Sequence, residues 1–161
     1  MDIHSISIEG EQVTFLFRGD SKAAAQLRDK IMNDIKFKLI DEVVFNKNTS
    51  NLNNEKIAHR LGLLVVKDTD NIGILNIKGP KKVKAKHIKG LDVVHPDALL
   101  LQLTKDEELN CNLIVKEGSG RIHKKWNPVY AITFEKNKEG EYLFTLGLIG
   151  VLTFDQILEQ L

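Results

Sequence analysis

The 161-residue chain has the length of one ordinary domain, long enough to bury roughly two thirds of the surface that its unfolded form exposes. Its 42% of hydrophobic and 28% of charged residues are typical of a globular protein. The formal charge of +1 argues against a protein that is driven mainly by electrostatics onto nucleic acid or anionic lipid. The single Cys111 excludes an internal disulfide and any metal site that needs several thiolates, so we expect no cofactor.

The amino terminus carries no basic segment followed by an apolar stretch, and no run approaches the roughly 20 apolar residues that span a bilayer. These patterns predict a soluble intracellular protein without membrane contact. They do not distinguish the nucleus from the cytoplasm, and a virus-encoded chain could also be located in a virion or a viral factory.

The first predicted elements are a hairpin and a helix. Apolar residues alternate with polar ones on both sides of residues 9–11, the pattern of two strands with one buried face; these are Ile6, Ile8, Val13, Phe15 and Phe17. Residues 19–21 supply short oxygen-bearing side chains that cap a helix over about 22–35.

One apolar stripe follows this helix at spacings of three and four residues; it consists of Ala24, Leu27, Ile31 and Ile35. Taken alone, such a stripe more often faces a core than a partner. The small residues 23–25 would nevertheless let a second helix approach closely.

A strand is predicted over residues 39–45, followed by a loop at 46–51 whose side chains favour hydrogen bonds to their own backbone. Asn53 or Asn54 can cap a helix that runs through Leu61. A left-handed stop at Gly62 and a buried strand at 63–66 are expected next.

After residue 66 the sequence pattern changes to one that predicts short strands and turns. Strands are predicted at 74–77, 83–87, 109–115 and 130–134, and the apolar run at 98–101 fits either a helical turn or a strand. A turn at 136–140 leads into a strand at 142–148, and Thr153 can cap a last helix over 154–161. We therefore predict an α+β chain in which residues 1–66 and 141–161 form one unit, interrupted by a β-rich insertion at 67–140.

The segment from Asn48 to Leu63 reads N-T-S-N-L-N-N-E-K-I-A-H-R-L-G-L. It resembles the N-T-S-x-L-x-x-E-x-I-A-H-R-L-G-L block of the alpha-like subunits of multisubunit DNA-directed RNA polymerases, which include an archaeal form and the third-largest subunits of the eukaryotic nuclear enzymes. A match of this length and spacing is far more specific than a lone glycine motif.

Three further segments follow the family's order. Leu27-Arg28 and Ile40-Asp41 resemble its L-R-R helix and the strand that opens with I-D. Residues 118–129 resemble its G-x-G-x-x-H-A-K-W-x-P-V block, and residues 147–158 resemble the strand and turn before its final helix.

The resemblance implies an alpha-like dimerisation domain, a two-layer arrangement of helices and sheet, interrupted by a small mainly β insert. It also implies a non-catalytic assembly subunit that pairs with a smaller alpha-like subunit. The pair would carry the second-largest and largest catalytic subunits and small accessory subunits, and would meet DNA only indirectly.

The same resemblance assigns two sets of contact residues. The expected heterodimer interface comprises Ala24, Leu27, Arg28, Ile31, Ile35, Phe154, Ile157 and Leu158. The expected contacts to the large subunits are Asn48, Thr49, Ser50, Glu55, His59, Arg60, Leu61, Gly62, His123, Lys125 and Trp126.

Several positions depart from the family pattern. Ala25 stands where relatives usually have asparagine, Asp29 replaces the second arginine of the L-R-R motif, and Lys124 replaces a small residue. The cysteines of the zinc loop and of the iron–sulfur insertion are missing, and the family's longer final helix is not expected after Leu161. These features indicate a compact member of the family, such as one from a virus or another reduced system.

A stand-alone nucleic-acid-binding module is the alternative function. It would use residues 121–125 and a lysine-rich stretch, formed by Lys78, Lys81, Lys82, Lys84, Lys86 and Lys89. That stretch also suits a solvated face or an acidic patch on a neighbouring subunit. Catalysis by His59 and His123 lacks an accompanying nucleophile or carboxylate pair.

Overall fold

The computed structural model of the chain describes residues 2–67 and 70–161. Its elements are β1 (Ile3–Glu9), β2 (Gln12–Phe17), α1 (Ser21–Asn33), β3 (Phe37–Asn48), α2 (Asn54–Gly62), β4 (Gly73–Lys78), β5 (Lys81–Lys84), β6 (Leu99–Leu103), β7 (Glu108–Gly118), β8 (Val129–Lys136), β9 (Tyr142–Leu148) and α3 (Phe154–Glu159). The α+β class predicted from the sequence is confirmed. No helix within the described ranges is long and apolar enough to cross a membrane.

The chain divides into two compact units. Residues 1–37 and 118–161 form one, called here the terminal unit, and residues 38–117 form the other, the inner unit. The sequence places its boundaries later, after residues 66 and 140. The difference has a physical origin: β3 and β4 flank β7 in one sheet, whereas β8 pairs with β9 in another.

The terminal unit is built on an antiparallel sheet with strand order β1-β2-β9-β8. Phe15 of β2 stacks on Phe144 of β9 with ring centroids 4.9 Å apart, and Phe154 of α3 lies 5.4 Å from Phe15. All three rings are almost completely buried. This aromatic cluster joins the amino-terminal hairpin to the carboxyl-terminal strand and helix.

Side-chain caps fix where the helices of this unit begin. Asp20 accepts a hydrogen bond from the backbone N–H of Ala23 at 2.7 Å, which satisfies a free donor at the start of α1. Thr153 and Gln156 form a reciprocal capping box at the start of α3. Both caps were predicted by residue type, although α1 ends at Asn33, before Ile35.

The inner unit contains a sheet with strand order β3-β7-β4 and an antiparallel pair of β5 with β6. Helix α2 contacts β6 and buries Ile57 and Leu61. Cys111 of β7 is fully buried, and desolvation raises the pKa of its thiol to about 11. In this position Cys111 acts as a small buried hydrophobe.

Two predictions near the end of α2 are wrong. Gly62 belongs to the helix, and Leu63 caps it at φ −90°, so no left-handed stop occurs there. Residues 63–66 are not a strand: Val66 makes a single bridge to Val93, and Leu63 is 59% exposed. The apolar run reflects burial of Leu64 and Val66 without a ladder of strand hydrogen bonds.

Two further differences concern the lysine-rich region. Strand β5 ends at Lys84, and residues 85–87 form a 3₁₀ turn where the sequence predicted a continuous strand. The ambiguous run at 98–101 is largely a strand, because Leu99–Leu103 pairs with β5.

We expect Phe144→Ala to lower the free energy of unfolding by about 3–5 kcal/mol, because it empties the centre of the aromatic cluster. Urea denaturation followed by circular dichroism measures this change. The control is Leu143→Ala, an exposed position on the same strand, where we expect a change within about 0.5 kcal/mol. Equal losses in the two variants would show that the cluster does not hold the unit together.

Candidate partner-contact surfaces

The loop at the end of β3 is ordered by its own polar side chains. Asn48 Nδ2 donates to the carbonyl oxygen of Leu52 at 2.9 Å and to Asn54 Oδ1 at 2.8 Å. Asn48 Oδ1 accepts from the hydroxyl of Ser50 at 2.6 Å. Thr49 Oγ1 accepts from the backbone N–H of Glu108 at 2.7 Å. The loop is thus anchored to the start of β7 and leads directly into α2.

Helix α2 begins where Asn53 Oδ1 accepts a hydrogen bond from the backbone N–H of Lys56 at 2.9 Å. Glu55 lies in its first turn, and His59 and Arg60 lie in its last turn, an order that complements the helix dipole. The exposed side of the helix, called here the α2 face, consists of Glu55, Lys56, His59 and Arg60. These four residues line a cavity of about 250 Å³.

Some residues expected on this surface have internal roles. Arg60 Nη1 donates to the carbonyl oxygen of Leu100 at 2.5 Å and so ties α2 to β6. Leu61 is fully buried, and Gly62 is half-buried. Within this part of the expected large-subunit set, the exposed side chains are Thr49, Glu55, His59 and Arg60.

The Gly118–Val129 segment of the terminal unit holds the remaining predicted contacts. Trp126 is only 4% exposed, and its indole N–H has no partner within the described part of the chain. The Lys125 ammonium lies 4.6 Å from the centre of the Trp126 ring, a cation–π arrangement. His123 is exposed and accepts a hydrogen bond at Nδ1 from the backbone N–H of Lys125.

Two glycines in this segment allow close approaches that a side chain would block. A Cβ atom at Gly118 would overlap the ring of Trp126. A Cβ atom at Gly120 would lie 2.5 Å from the carbonyl oxygen of Met32 in α1. Glycine at position 120 therefore lets the segment press against the end of α1, and glycine at position 118 leaves room for the ring of Trp126.

Arg121 fastens the same segment to α1. Its Nε donates to Asp34 Oδ1 at 2.5 Å, its guanidinium also donates to Asp29, and its backbone N–H donates to the carbonyl oxygen of Asn33. The hydrogen bond from Arg121, with a second from Asn33, lowers the pKa of Asp29. This contact was not predicted from the sequence, although the unusual Asp29 marked the position.

The residues expected at the heterodimer interface lie mostly inside the terminal unit. Six of the eight are buried within the chain, namely Ala24, Leu27, Ile31, Ile35, Phe154 and Ile157. Arg28 is exposed, with its guanidinium 5.7 Å from the ring of Phe134, and Leu158 is half-buried. The apolar stripe of α1 thus faces the core of its own unit in this structure. Contact of the stripe with a partner stays a prediction.

Within residues 2–67 and 70–161, no group of three or more histidine, cysteine, aspartate or glutamate side chains is arranged to hold a metal ion.

A family model described as the RNA polymerase Rpb3/RpoA insert domain matches residues 37–132, more than half of the chain. The chain belongs to the family of alpha-like RNA polymerase subunits. The match includes the Asn48 loop, α2 and the segment that carries Arg121 and Trp126.

Curated relatives of this alpha-like subunit come from archaea and eukaryotes. DNA-directed RNA polymerase subunit Rpo3 of Pyrococcus horikoshii is 33% identical over 73% of the chain and 53% of its own length. Subunit Rpo3 of Methanocaldococcus jannaschii is 24% identical over 94% of the chain and 83% of its own length. RNA polymerase II subunit RPB3 of Schizosaccharomyces pombe is 27% identical over 80% of the chain and 57% of its own length. The chain thus spans about half the length of several relatives that it matches.

We expect Asp29→Asn to reduce stability near neutral pH, because the Arg121 guanidinium loses one of its two charged acceptors. The pKa of Asp29 is lowered from 3.8 in the folded chain, so the stabilisation is complete above the unfolded pKa and is lost as pH falls through the folded pKa. The gap in urea midpoint between wild type and variant should therefore close in acid. Glu135→Gln, at an exposed carboxyl without an ion pair in the described ranges, is the control; an equal, pH-independent gap would contradict the prediction.

Proposed function

We propose that this chain is a non-catalytic assembly subunit of a DNA-directed RNA polymerase. It pairs with a smaller alpha-like subunit and docks the second-largest and largest catalytic subunits, together with small accessory subunits, and it meets DNA only indirectly. The observation that carries the proposal is the match of residues 37–132 to the Rpb3/RpoA insert domain. In this role the protein works inside the cell, in the nucleus, the cytoplasm or a viral factory.

The geometry of the loop and α2 supports a docking role. The loop side chains satisfy one another, so little conformational entropy remains to be lost when a partner binds there. The apolar residues of α2 face its own unit, and its polar residues point outward. An ordered polar surface of this kind suits an interface whose specificity depends on charge and hydrogen bonding.

The surface that pairs with the smaller subunit is assigned here to residues other than the buried stripe of α1. Leu27 is 4% exposed, so Leu27→Asp would place an unpaired carboxylate in the core of the terminal unit and would test folding rather than pairing. We assign pairing instead to the accessible side of α1, at Ala25 and Arg28, and to Leu158 of the carboxyl-terminal segment. The small side chain of Ala25 permits a second helix to approach closely.

Pairing is tested with Ala25→Trp. The exposed position leaves the core intact, whereas the indole would hold a partner helix away, so recovery of the smaller alpha-like subunit on co-expression should fall about tenfold. Lys138→Trp places the same side chain on an exposed turn of the same unit and should leave recovery unchanged. Equal recovery with both variants would remove this side of α1 from the interface.

Docking is tested with Lys56→Glu on the α2 face. The new carboxylate lies in the first turn of the helix, where negative charge is favourable, so folding is preserved. We expect pairing to remain normal while recovery of the second-largest subunit by the assembled pair falls about tenfold. Lys138→Glu is the matched charge reversal, and undiminished docking by Lys56→Glu would exclude the α2 face.

A further inference from the structure

Strand β4 lies at an edge of the β3-β7-β4 sheet, and no strand in the described part of the chain lies beside one short stretch of that edge. The backbone N–H and C=O of Ile74 both bond to Lys89, at 2.8 Å each, so the backbone polar groups of Ile74 point away from β7. Because strand residues alternate, those of Asn76 point the same way. Asn76 has no hydrogen-bond partner on that side among the residues that the structure describes.

The gap exists because a local turn interrupts a ladder that has just begun. The Ile74–Lys89 bridge is antiparallel, so a continued ladder would bring His87 opposite Asn76. Residues 85–87 instead form a 3₁₀ turn, in which His87 Nδ1 accepts a hydrogen bond from the backbone N–H of Lys84. A cavity of about 460 Å³ takes the place of the missing strand, and it is lined by Ile74, Asn76, Ile77, Lys81, Lys86, His87 and Lys89.

The cavity is strongly basic although the whole chain carries a formal charge of only +1. Lys86 has one distant carboxylate, Asp97 at 3.8 Å, and Lys81 and Lys89 form no ion pair within the described ranges. The pKa of His87 is lowered by burial and by the charges of Lys81, Lys86 and Lys84. Among the described residues, those that line the cavity therefore include no carboxylate to balance its lysines.

These lysines differ from those that merely keep a sheet edge free of aggregation. Protective lysines project from the edge strand itself. Here Lys81 comes from β5, Lys86 from the 3₁₀ turn and Lys89 from the position bridged to Ile74, and all three line the cavity beside β4. Ile74, which is 48% exposed, adds an apolar contact beside the free backbone groups.

We propose that the free edge of β4 at Asn76 binds an extended acidic segment of a partner protein. The segment adds one short strand to the sheet and sets its carboxylates against Lys81, Lys86 and Lys89. A peptide supplies both a donor for the Asn76 carbonyl and an acceptor for its N–H. A nucleic acid phosphate would satisfy only the N–H and would be repelled by the carbonyl oxygen, which favours a protein ligand. These residues are distinct from the α2 face, and peptide binding at β4 does not depend on polymerase assembly.

The first test is binding of a fluorescent peptide of alternating valine and glutamate to the full chain, measured by anisotropy. Asn76→Pro removes the outward N–H but leaves the bonds to β7, whereas Asn76→Ala keeps the N–H. We expect Asn76→Pro to weaken binding about tenfold and Asn76→Ala to weaken it less than about threefold. Equal binding by the two variants would overturn strand addition.

The second test removes the charges. Lys81→Glu with Lys89→Glu should abolish peptide binding, and the matched reversal of Lys136 and Lys138 in the terminal unit should leave it unchanged. An equal loss in both pairs would mean non-specific attraction and would overturn the proposal. This arm remains decisive if Asn76→Pro does not fold.

Two further measurements separate the possible ligands. A single-stranded DNA oligonucleotide of the same charge should bind more weakly than the peptide; tighter DNA binding that is insensitive to Asn76→Pro would assign the lysines to nucleic acid and overturn the proposal. Amide hydrogen exchange at Asn76 should slow when the acidic peptide binds. The Leu75 amide points toward β7 and serves as the internal reference. Unchanged exchange at Asn76, or no peptide binding at all, would also overturn it.

Discussion

Stacking of Phe15 on Phe144, with Phe154 beside them, is the contact on which the terminal unit depends. It joins the amino-terminal and carboxyl-terminal parts of the chain, which are separated in sequence by the whole inner unit. Its formation must therefore offset the entropy of closing a long loop. Helix α1 contacts β8, which pairs with β9 in the same sheet, and the apolar stripe of α1 is buried.

Elements defined by local chemistry were predictable from the sequence. The amino-terminal hairpin, α1 after Asp20, α2 after Asn53 and α3 after Thr153 each combine a periodic apolar pattern with a capping or turn residue. Residues 63–66 were not predictable, because a short apolar run signals burial without saying whether a neighbouring strand will pair with it. The predicted unit boundaries lie later in the sequence than those of the two compact units, because the sequence reading assigned β8 to the insertion although β8 forms a hairpin with β9.

The contact surfaces were predictable in part. Sequence patterns indicated that Asn48 and its neighbours form a hydrogen-bonded loop before a helix, and the structure has this arrangement. They could not indicate that Trp126 and Leu61 are buried. A family motif marks a position but does not say whether its side chain packs inside the chain or contacts a partner. The Arg121–Asp29 pair joins segments that are distant in sequence, and its one local sign was Asp29 at the second arginine position of the L-R-R motif that the sequence resembles.

That pair limits how freely parts could be exchanged between this chain and its relatives. A first helix taken from a relative with arginine at position 29 would set two guanidinium groups against each other, with Asp34 as their shared carboxylate. Gly120 lies so close to α1 that a side chain there would clash with the carbonyl oxygen of Met32, so the contact also requires glycine in the segment. The helix and the returning segment therefore depend on each other, and a hybrid that keeps this contact would have to take both pieces from the same parent.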